Sequence, residues 1–331
     1  RWGICSAGAI SHDFVVALKT LPPTEHTVVA VAARDLGRAQ AFARRFGVPR
    51  AYGSYEELAE DPDVDVVYVG VVNPAHLPTG LLFLRRGRAV LMEKPMALCA
   101  REVAELVGAA RERGVFLMER LGGDWGGWGA LGATGRGLGG MGGTGSDWEG
   151  IGGDGGHWER LGGDWGGWGA LGATGRGLGG MGGTGSDWEG IEGHFFPFSP
   201  LFLLFFPGVD ESVVVTLEFP GKGLAALTFS MAAELPGGAA LGGPRGWAEL
   251  PSHMNCPTEL LWGGRRELFP LPPPQEPLNF PHSTGLRYEA QHVRECLLQG
   301  LTESPEMPLA ESEVIARLLD QAREQVGVGG P

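Results

Sequence analysis

The sequence predicts an α/β protein: a doubly wound parallel sheet at the N-terminus, followed by an α+β open-sheet part that is incomplete in this chain. Three observations predict it. The first 118 residues alternate short continuous apolar runs with amphipathic segments, the pattern of parallel strands covered on both faces and joined by crossover helices. From Val209 onward, strand-like segments separated by turns give way to two helical segments. Between these parts lies text with neither period: 33 of the 58 Gly and seven of the ten Trp fall between Leu121 and Gly193.

The N-terminal elements follow in order. Arg1 to Cys5 reads as a buried strand, and Ser6, Ala7 and Gly8 as a tight turn. Ile10 to Leu21 has the apolar spacing of a helix. Thr27 to Ala33 is a second strand and Leu36 to Phe46 an amphipathic helix. Ser54 and Glu57 form a capping box that opens a short helix over Tyr55 to Ala59. Val64 to Val69, Ala89 to Met92 and Val115 to Met118 are further strands; His76 to Arg86 and Arg101 to Arg113 are the helices between them. Right-handed crossovers then give a parallel sheet. In the C-terminal part, Glu211 to Phe219 and Leu224 to Met231 read as a hairpin across Pro220-Gly221, with more strands over Gly246 to Leu250 and Thr258 to Trp262. Phe269 to Pro281 is Pro-rich and extended, and Tyr288 to Gln299 and Ala310 to Val326 are helices.

The middle tract reads differently. Glu119 to Ile151 recurs without a change as Glu159 to Ile191, at a period of 40 residues. Structural repeats share a pattern and diverge at solvent-facing positions, so perfect identity marks a very recent duplication or the absence of selection on the protein. Glycine inside a helix or strand costs about 0.5–1 kcal/mol relative to Ala, and no stable element is expected here. The following HFFPFSPLFLLFFPG, residues 194–208, is built almost wholly from residues that pyrimidine-rich codons encode. A polypyrimidine tract running into a splice acceptor reads this way, and residues 121–207 are read as intron-like sequence. The alternatives are a Gly/Trp low-complexity interaction segment for the repeat and a real hydrophobic loop or partner-binding segment for residues 194–208. The expected organisation is thus 1–118, 119–207 and 208–331.

Charge and composition exclude several functions. The net charge of -13 argues against a nucleic-acid binder that tracks phosphates. Four scattered Cys (Cys5, Cys99, Cys256 and Cys296) give no disulfide framework, and no His/Cys/Asp/Glu cluster has metal-ligand spacing. No signal peptide or membrane span is visible, so a cytoplasmic protein is expected.

The chemistry sits at the predicted strand ends. Ser6, Gly8 and Ser11 occupy the three positions of a degenerate G-x-G-x-x-G turn, next to Ile10 at the start of the first helix. The surviving central glycine is the one that lets backbone approach a pyrophosphate. After the second strand, where NAD-binding proteins place an acid on the ribose, stands Arg34, with Arg38 one helical turn on. Guanidinium groups there suit a 2′-phosphate, which points to NADP; Asp35 is the alternative ribose ligand. Asn73 and His76 follow the third predicted strand, and Glu93-Lys94-Pro95 the fourth. A lysine at that edge can donate to a substrate hydroxyl. His76 at a helix start is an assistant or a structural residue.

These motifs resemble the glucose-fructose oxidoreductase/inositol dehydrogenase-like family. The likeness is carried by RWGICSAGAIS, VVAVAARDLGRA, AYGSYEELAEDPDV, NPAH, EKP and FLME, and it resumes at VDESVVVTLEFPG, CPTELL, YEAQHVREC and ESPEMPLAESE. The resemblance implies a Rossmann domain and an open-faced α/β domain that pairs in a homodimer. It implies hydride transfer between NADP and a carbinol carbon. The implied substrates are small molecules: trans-dihydrodiols of aromatic hydrocarbons, oxidised to catechols, or the pentose D-xylose, oxidised to its lactone. Lys94 and His76 would line the active site, with Tyr68, Asn73 and Glu93 near the coenzyme and a cis Lys94–Pro95 bond. In this family a proton-exchanging Tyr lies early in the second domain. Here the four Tyr are Tyr52, Tyr55, Tyr68 and Tyr288, none between Met118 and Val209. The chain is therefore expected to be inactive as written, a departure that also admits a non-catalytic dinucleotide-binding protein.

Overall fold

A computed structural model describes residues 1–120, 174–176, 204–206, 209–219, 223–230, 233–244 and 246–327. The chain divides into two compact units. The first joins residues 1–122 to residues 271–320, and the second joins residues 123–270 to residues 321–329.

The first unit is built on β1 (Trp2–Cys5), α1 (Ala9–Leu18), β2 (Val28–Ala32), α2 (Leu36–Phe46), β3 (Arg50–Tyr52), α3 (Tyr55–Glu60), β4 (Val66–Val69), α4 (His76–Arg85), β5 (Ala89–Met92), α5 (Ala100–Arg113) and β6 (Leu117–Glu119). To these the later chain adds α6 (Leu286–Leu298) and α7 (Leu309–Gln325), whose last residues belong to the second unit. The six strands are parallel in the order β3-β2-β1-β4-β5-β6. The chain runs from β1 outward to β2 and β3, then returns to the other side of β1 as β4. The carboxyl ends of β1 and β4 therefore flank the crevice where such sheets bind ligands.

Every residue of β1, β4 and β5 is buried, as their unbroken apolar runs require. Phe14 of α1 stacks on Tyr68 of β4 with ring centroids 3.9 Å apart. The helices start and stop where local chemistry dictates. Asp35 caps α2 by accepting from the Arg38 amide at 2.9 Å, and Gly47 ends it with a left-handed φ of 72°. The expected capping box of Ser54 and Glu57 opens α3. Leu309 and Ala316 of α7 join the core beside Val103, Leu106 and Leu117. The Leu117 amide donates to Thr302 O (3.1 Å), and the Ala100 amide to Asp320 Oδ2 (2.8 Å). The C-terminal helices thus complete the N-terminal sheet.

The second unit carries β7 (Thr174–Arg176), β8 (Leu204–Phe206), β9 (Val209–Phe219), β10 (Gly223–Ser230), β11 (Ala239–Gly243), β12 (Gly246–Leu250), β13 (Glu259–Trp262) and β14 (Arg265–Leu268). They form one sheet in the order β14-β13-β12-β11-β7-β10-β9-β8. The expected hairpin is β9–β10, antiparallel and in register from Gly223 opposite Phe219 to Ser230 opposite Ser212.

Several boundaries differ from the sequence reading. α1 stops at Leu18 rather than Leu21. β3, β11 and β14 have no counterpart in it. β3 spans only three residues and gives no readable alternation. β14 follows a two-residue Gly263-Gly264 turn whose φ values, 53° and 78°, are both positive; that is the twist-matched hairpin loop that glycines allow. β7 and β8 fall within the tract where no element was expected. A ladder is made by backbone groups and needs no side chains, so glycine-rich text can join one. The rest of that expectation, like the two 33-residue copies apart from Glu119, Arg120 and Thr174–Arg176, lies outside the described residues.

One buried relay ties β1 to α6. Trp2 Nε1, which can only donate, gives its proton to His26 Nδ1 at 3.2 Å. His26 therefore carries its own proton on Nε2 and donates it to Gln291 Oε1 at 3.0 Å. Burial holds the His26 pKa below its ordinary 6.5, against the Gln291 bond. Between that lowered value and 6.5 the unfolded chain binds more protons than the folded one, so stability falls as pH drops through this window and is unaffected above it. Thermal melts from pH 8 to pH 5 should show this loss, and the His26→Gln variant should show a shallower one.

Candidate functional site

The carboxyl edge of the first sheet gathers most of the residues that the sequence singles out. At the end of β1, Ser6 has a φ of 90°. That conformation favours glycine and explains why the first position of the motif is ordinarily Gly. Gly8 follows as the N-cap of α1, with φ -93° and ψ 179°, and no side chain caps this helix start. A Cβ added at Gly8 would meet only Ser6 Oγ at 3.5 Å and Gly70 O at 4.0 Å. Neither conformation nor packing within the protein demands glycine there, so the open space in front of it is available to a ligand. Ser11, at the third position, is fully buried. It faces Gly70, where an added Cβ would lie 2.6 Å from Ser11 Oγ. A bulkier residue than the usual glycine is thus accepted on α1 because Gly70, the residue after β4, has no side chain opposite. Ile10, half-buried, also lines this approach, 3.4 Å from the same position.

Arg34 and Arg38 are both exposed at the end of β2 and the start of α2, and among the described residues neither guanidinium is paired with a carboxylate. Asp35 is engaged as the cap of α2. Tyr55 lies near enough for both arginines to offset part of the upward push that burial gives its hydroxyl pKa.

Asn73 begins an exposed 3₁₀ turn after β4 and leads into α4. His76, the first residue of α4, is wholly buried. Its Nδ1 lies 2.7 Å from Pro95 O and its Nε2 3.1 Å from Val71 O. The ring therefore spans the loops that follow β4 and β5. Lys94 is exposed at the end of β5, beside a cis bond to Pro95, and its ammonium has no partner among the described residues.

Beneath Lys94 runs a buried chain of charges that sequence reasoning did not foresee. Tyr68 donates its hydroxyl proton to Glu93 Oε1. Arg120 Nη1 donates to Glu93 Oε2 at 2.9 Å, and Arg120 Nε lies 3.4 Å from Glu289 Oε2. The Lys94 amide also reaches Glu93 Oε2, at 3.3 Å. Burial, then the Glu93 charge, pushes the Tyr68 hydroxyl well above its ordinary pKa. Tyr68 and Glu93, expected near a coenzyme, spend their polar atoms on this network. The motif gave Glu93, but nothing in the sequence links it to Glu289, 196 positions later.

A βα turn with an open central glycine, unpaired arginines after the second strand and a lysine after the fifth together define a dinucleotide-binding oxidoreductase of the Rossmann type. Residues 1–121 match the model of the oxidoreductase family with an NAD-binding Rossmann fold (GFO/IDH/MocA), and the chain belongs to that family of dehydrogenases. Among its relatives, the trans-1,2-dihydrobenzene-1,2-diol dehydrogenase of Danio rerio is 44% identical over 343 residues, covering 99% of this chain and 97% of that protein. The Mus musculus protein of the same name is 43% identical over 337 residues, covering 100% and 98%. Similar solved structures include a 3-ketoreductase from Actinomadura kijaniata in complex with TDP-benzene and NADP (TM-score 0.62, 22% identity, 98% and 96% coverage). A levoglucosan dehydrogenase in complex with NADH and levoglucosan has a TM-score of 0.63 at 15% identity, with 98% and 96% coverage. At such identities these two show the fold alone. Among the described residues, no helix is long and apolar enough to cross a membrane.

Ser6 supplies a direct test of this turn. A β-branched residue at a φ of 90° is strained by about 1–3 kcal/mol. Ser6→Val should lower stability in chemical denaturation by that order, whereas Ser6→Gly should match or exceed the parent.

Proposed function

We propose that the chain binds NADP at the carboxyl edge of the first sheet and descends from enzymes that oxidise trans-dihydrodiols of aromatic hydrocarbons to catechols and D-xylose to its lactone. The observation that carries the binding step is Gly8: the fold does not need a glycine there, and a pyrophosphate does. The amides that open α1 then face the phosphates, and Arg34 and Arg38 take the 2′-phosphate by charge-assisted hydrogen bonds. A nicotinamide held in this way would supply the acceptor for a hydride from a carbinol carbon. Lys94 donates to the substrate oxygen and orients it, and Glu93 holds the Lys94 backbone from beneath. His76 fixes the loops after β4 and β5, a positioning role.

Removing the hydroxyl proton requires a base, a contribution worth typically 10²–10⁴-fold. The family resemblance assigns that task to a tyrosine between Met118 and Val209, where this chain has none. Tyr52 donates to Asp61 at 3.0 Å and Tyr68 to Glu93, so neither phenol is open to a substrate. In the proposed reading this chain retains NADP binding and lacks appreciable turnover. A homodimer is the assembly that the resemblance favours, and a cytoplasmic setting is proposed with it.

Titration calorimetry separates these statements. Gly8→Ala should lower the melting temperature by no more than about 2–4 °C, the effect of alanine at an N-cap, while weakening NADPH binding at least tenfold, because the added methyl points into the space the ligand needs. Equal losses of stability and binding would remove the argument from Gly8. The double variant Arg34→Ala/Arg38→Ala should lose about tenfold to a hundredfold for NADPH and little for NADH, in line with about 1.5–3 kcal/mol for hydrogen bonds to charged groups. Turnover of D-xylose or a trans-dihydrodiol by the unaltered chain would refute the loss of activity.

A further inference from the structure

The Pro-rich segment of residues 271–281 is tied to α1 and α2 at both ends. Glu276 pairs with Lys19 at 3.5 Å and with Arg45 at 2.9 Å, and Gln275 Nε2 donates to Lys19 O at 3.4 Å. Near its other end, the amides of Asn279 and Phe280 donate to the Asp13 carboxylate at 2.9 and 2.8 Å. Asp13 is wholly buried. The Asn279 side chain goes further: Nδ2 donates to Asp13 Oδ1 at 2.8 Å and to Ala9 O at 3.2 Å. It also lies 3.0 Å from His12 Nδ1. His12 Nδ1 is 2.9 Å from Asp13 Oδ1. Against the upward push of burial, the Asn279 amide and this side-chain hydrogen bond help hold the Asp13 pKa below its ordinary value.

This arrangement has two effects at the turn around Gly8. Ala9 O belongs to the first residue of α1, so Asn279 grips the helix one residue after the glycine that faces the ligand. A bare carboxylate one turn into a helix would also repel an anion at that helix start. Here it is saturated by the two backbone amides, the Asn279 amide group and the His12 ring. We infer that Asn279 is a positioning residue for the dinucleotide: it holds the first turn of α1 in its binding geometry, some 270 positions from the motif it serves. The inference rests on the proposed NADP site at this turn.

Asn279→Ala removes the bonds from Nδ2 and leaves the two backbone bonds to Asp13. NADPH binding should weaken roughly five- to tenfold by calorimetry, the equivalent of about 1–1.4 kcal/mol. Glu276→Gln loosens the same segment away from Ala9 and should leave NADPH affinity within about twofold. Linkage is reciprocal, so in the unaltered protein NADPH should also slow hydrogen exchange at the Asn279 and Phe280 amides, a measurement that needs no variant to fold. Affinity unchanged in Asn279→Ala, an equal loss in Glu276→Gln, or unchanged exchange at these amides would each overturn the role of Asn279 while wild-type binding stands. A wild-type protein that binds no NADPH would overturn the site itself, and the inference with it.

Discussion

The first unit depends on how closely α1 can approach β4. Ser11 and Gly70 meet there with no room for a further methyl group, and Phe14 lies flat on Tyr68 one turn along. That contact sets the height of α1 above the sheet and places its uncapped N-terminus at the carboxyl ends of β1 and β4. The turn through Ser6 and Gly8 is bent to reach that position, at the cost of a positive φ on a serine. The arginines after β2 and the lysine after β5 acquire a shared target only because α1 opens between them.

Around this contact the sheet edge is divided into an open layer and a buried, charge-paired one. Gly8, Arg34, Arg38, Asn73 and Lys94 offer unfilled space, exposed side chains or both. One layer down, Tyr68, Glu93, Arg120 and Glu289 bond to one another, and His76 lies against two backbone carbonyls. Breaking a buried ion pair by removing one partner typically costs about 3–5 kcal/mol. The lower layer is therefore rigid, and it fixes the directions in which the upper layer presents its groups.

Much of this was legible in the sequence. The buried strands β1, β4 and β5 announce themselves as apolar runs, the capping box at Ser54 fixes α3, and Gly8, Arg34 and Lys94 stand at strand ends because chemistry at such sheets always does. What escaped has physical reasons. β3 is too short for any period to show. β14, Arg265 to Leu268, has no apolar alternation of its own, and only the Gly263-Gly264 pair before it marks a hairpin. His76 and Glu93 were readable as site residues, but which atoms they bond to depends on Val71, Pro95, Arg120 and Glu289, and contacts between distant segments leave no local pattern. The same holds for Asn279, which looks like one more residue of a proline-rich stretch.

The attachment of the last helices to the first sheet also sets an order of events during synthesis. The Ala100 amide waits for Asp320, and the Leu117 amide for Thr302. A ribosome adding about 5–20 residues per second leaves the N-terminal strands without these partners for some tens of seconds, while the intervening chain emerges. Over that interval the face that α6 and α7 will cover is open to solvent and to any apolar segment nearby. The first unit therefore cannot close until nearly the whole chain has been made, and its last pieces arrive from the far end of the sequence.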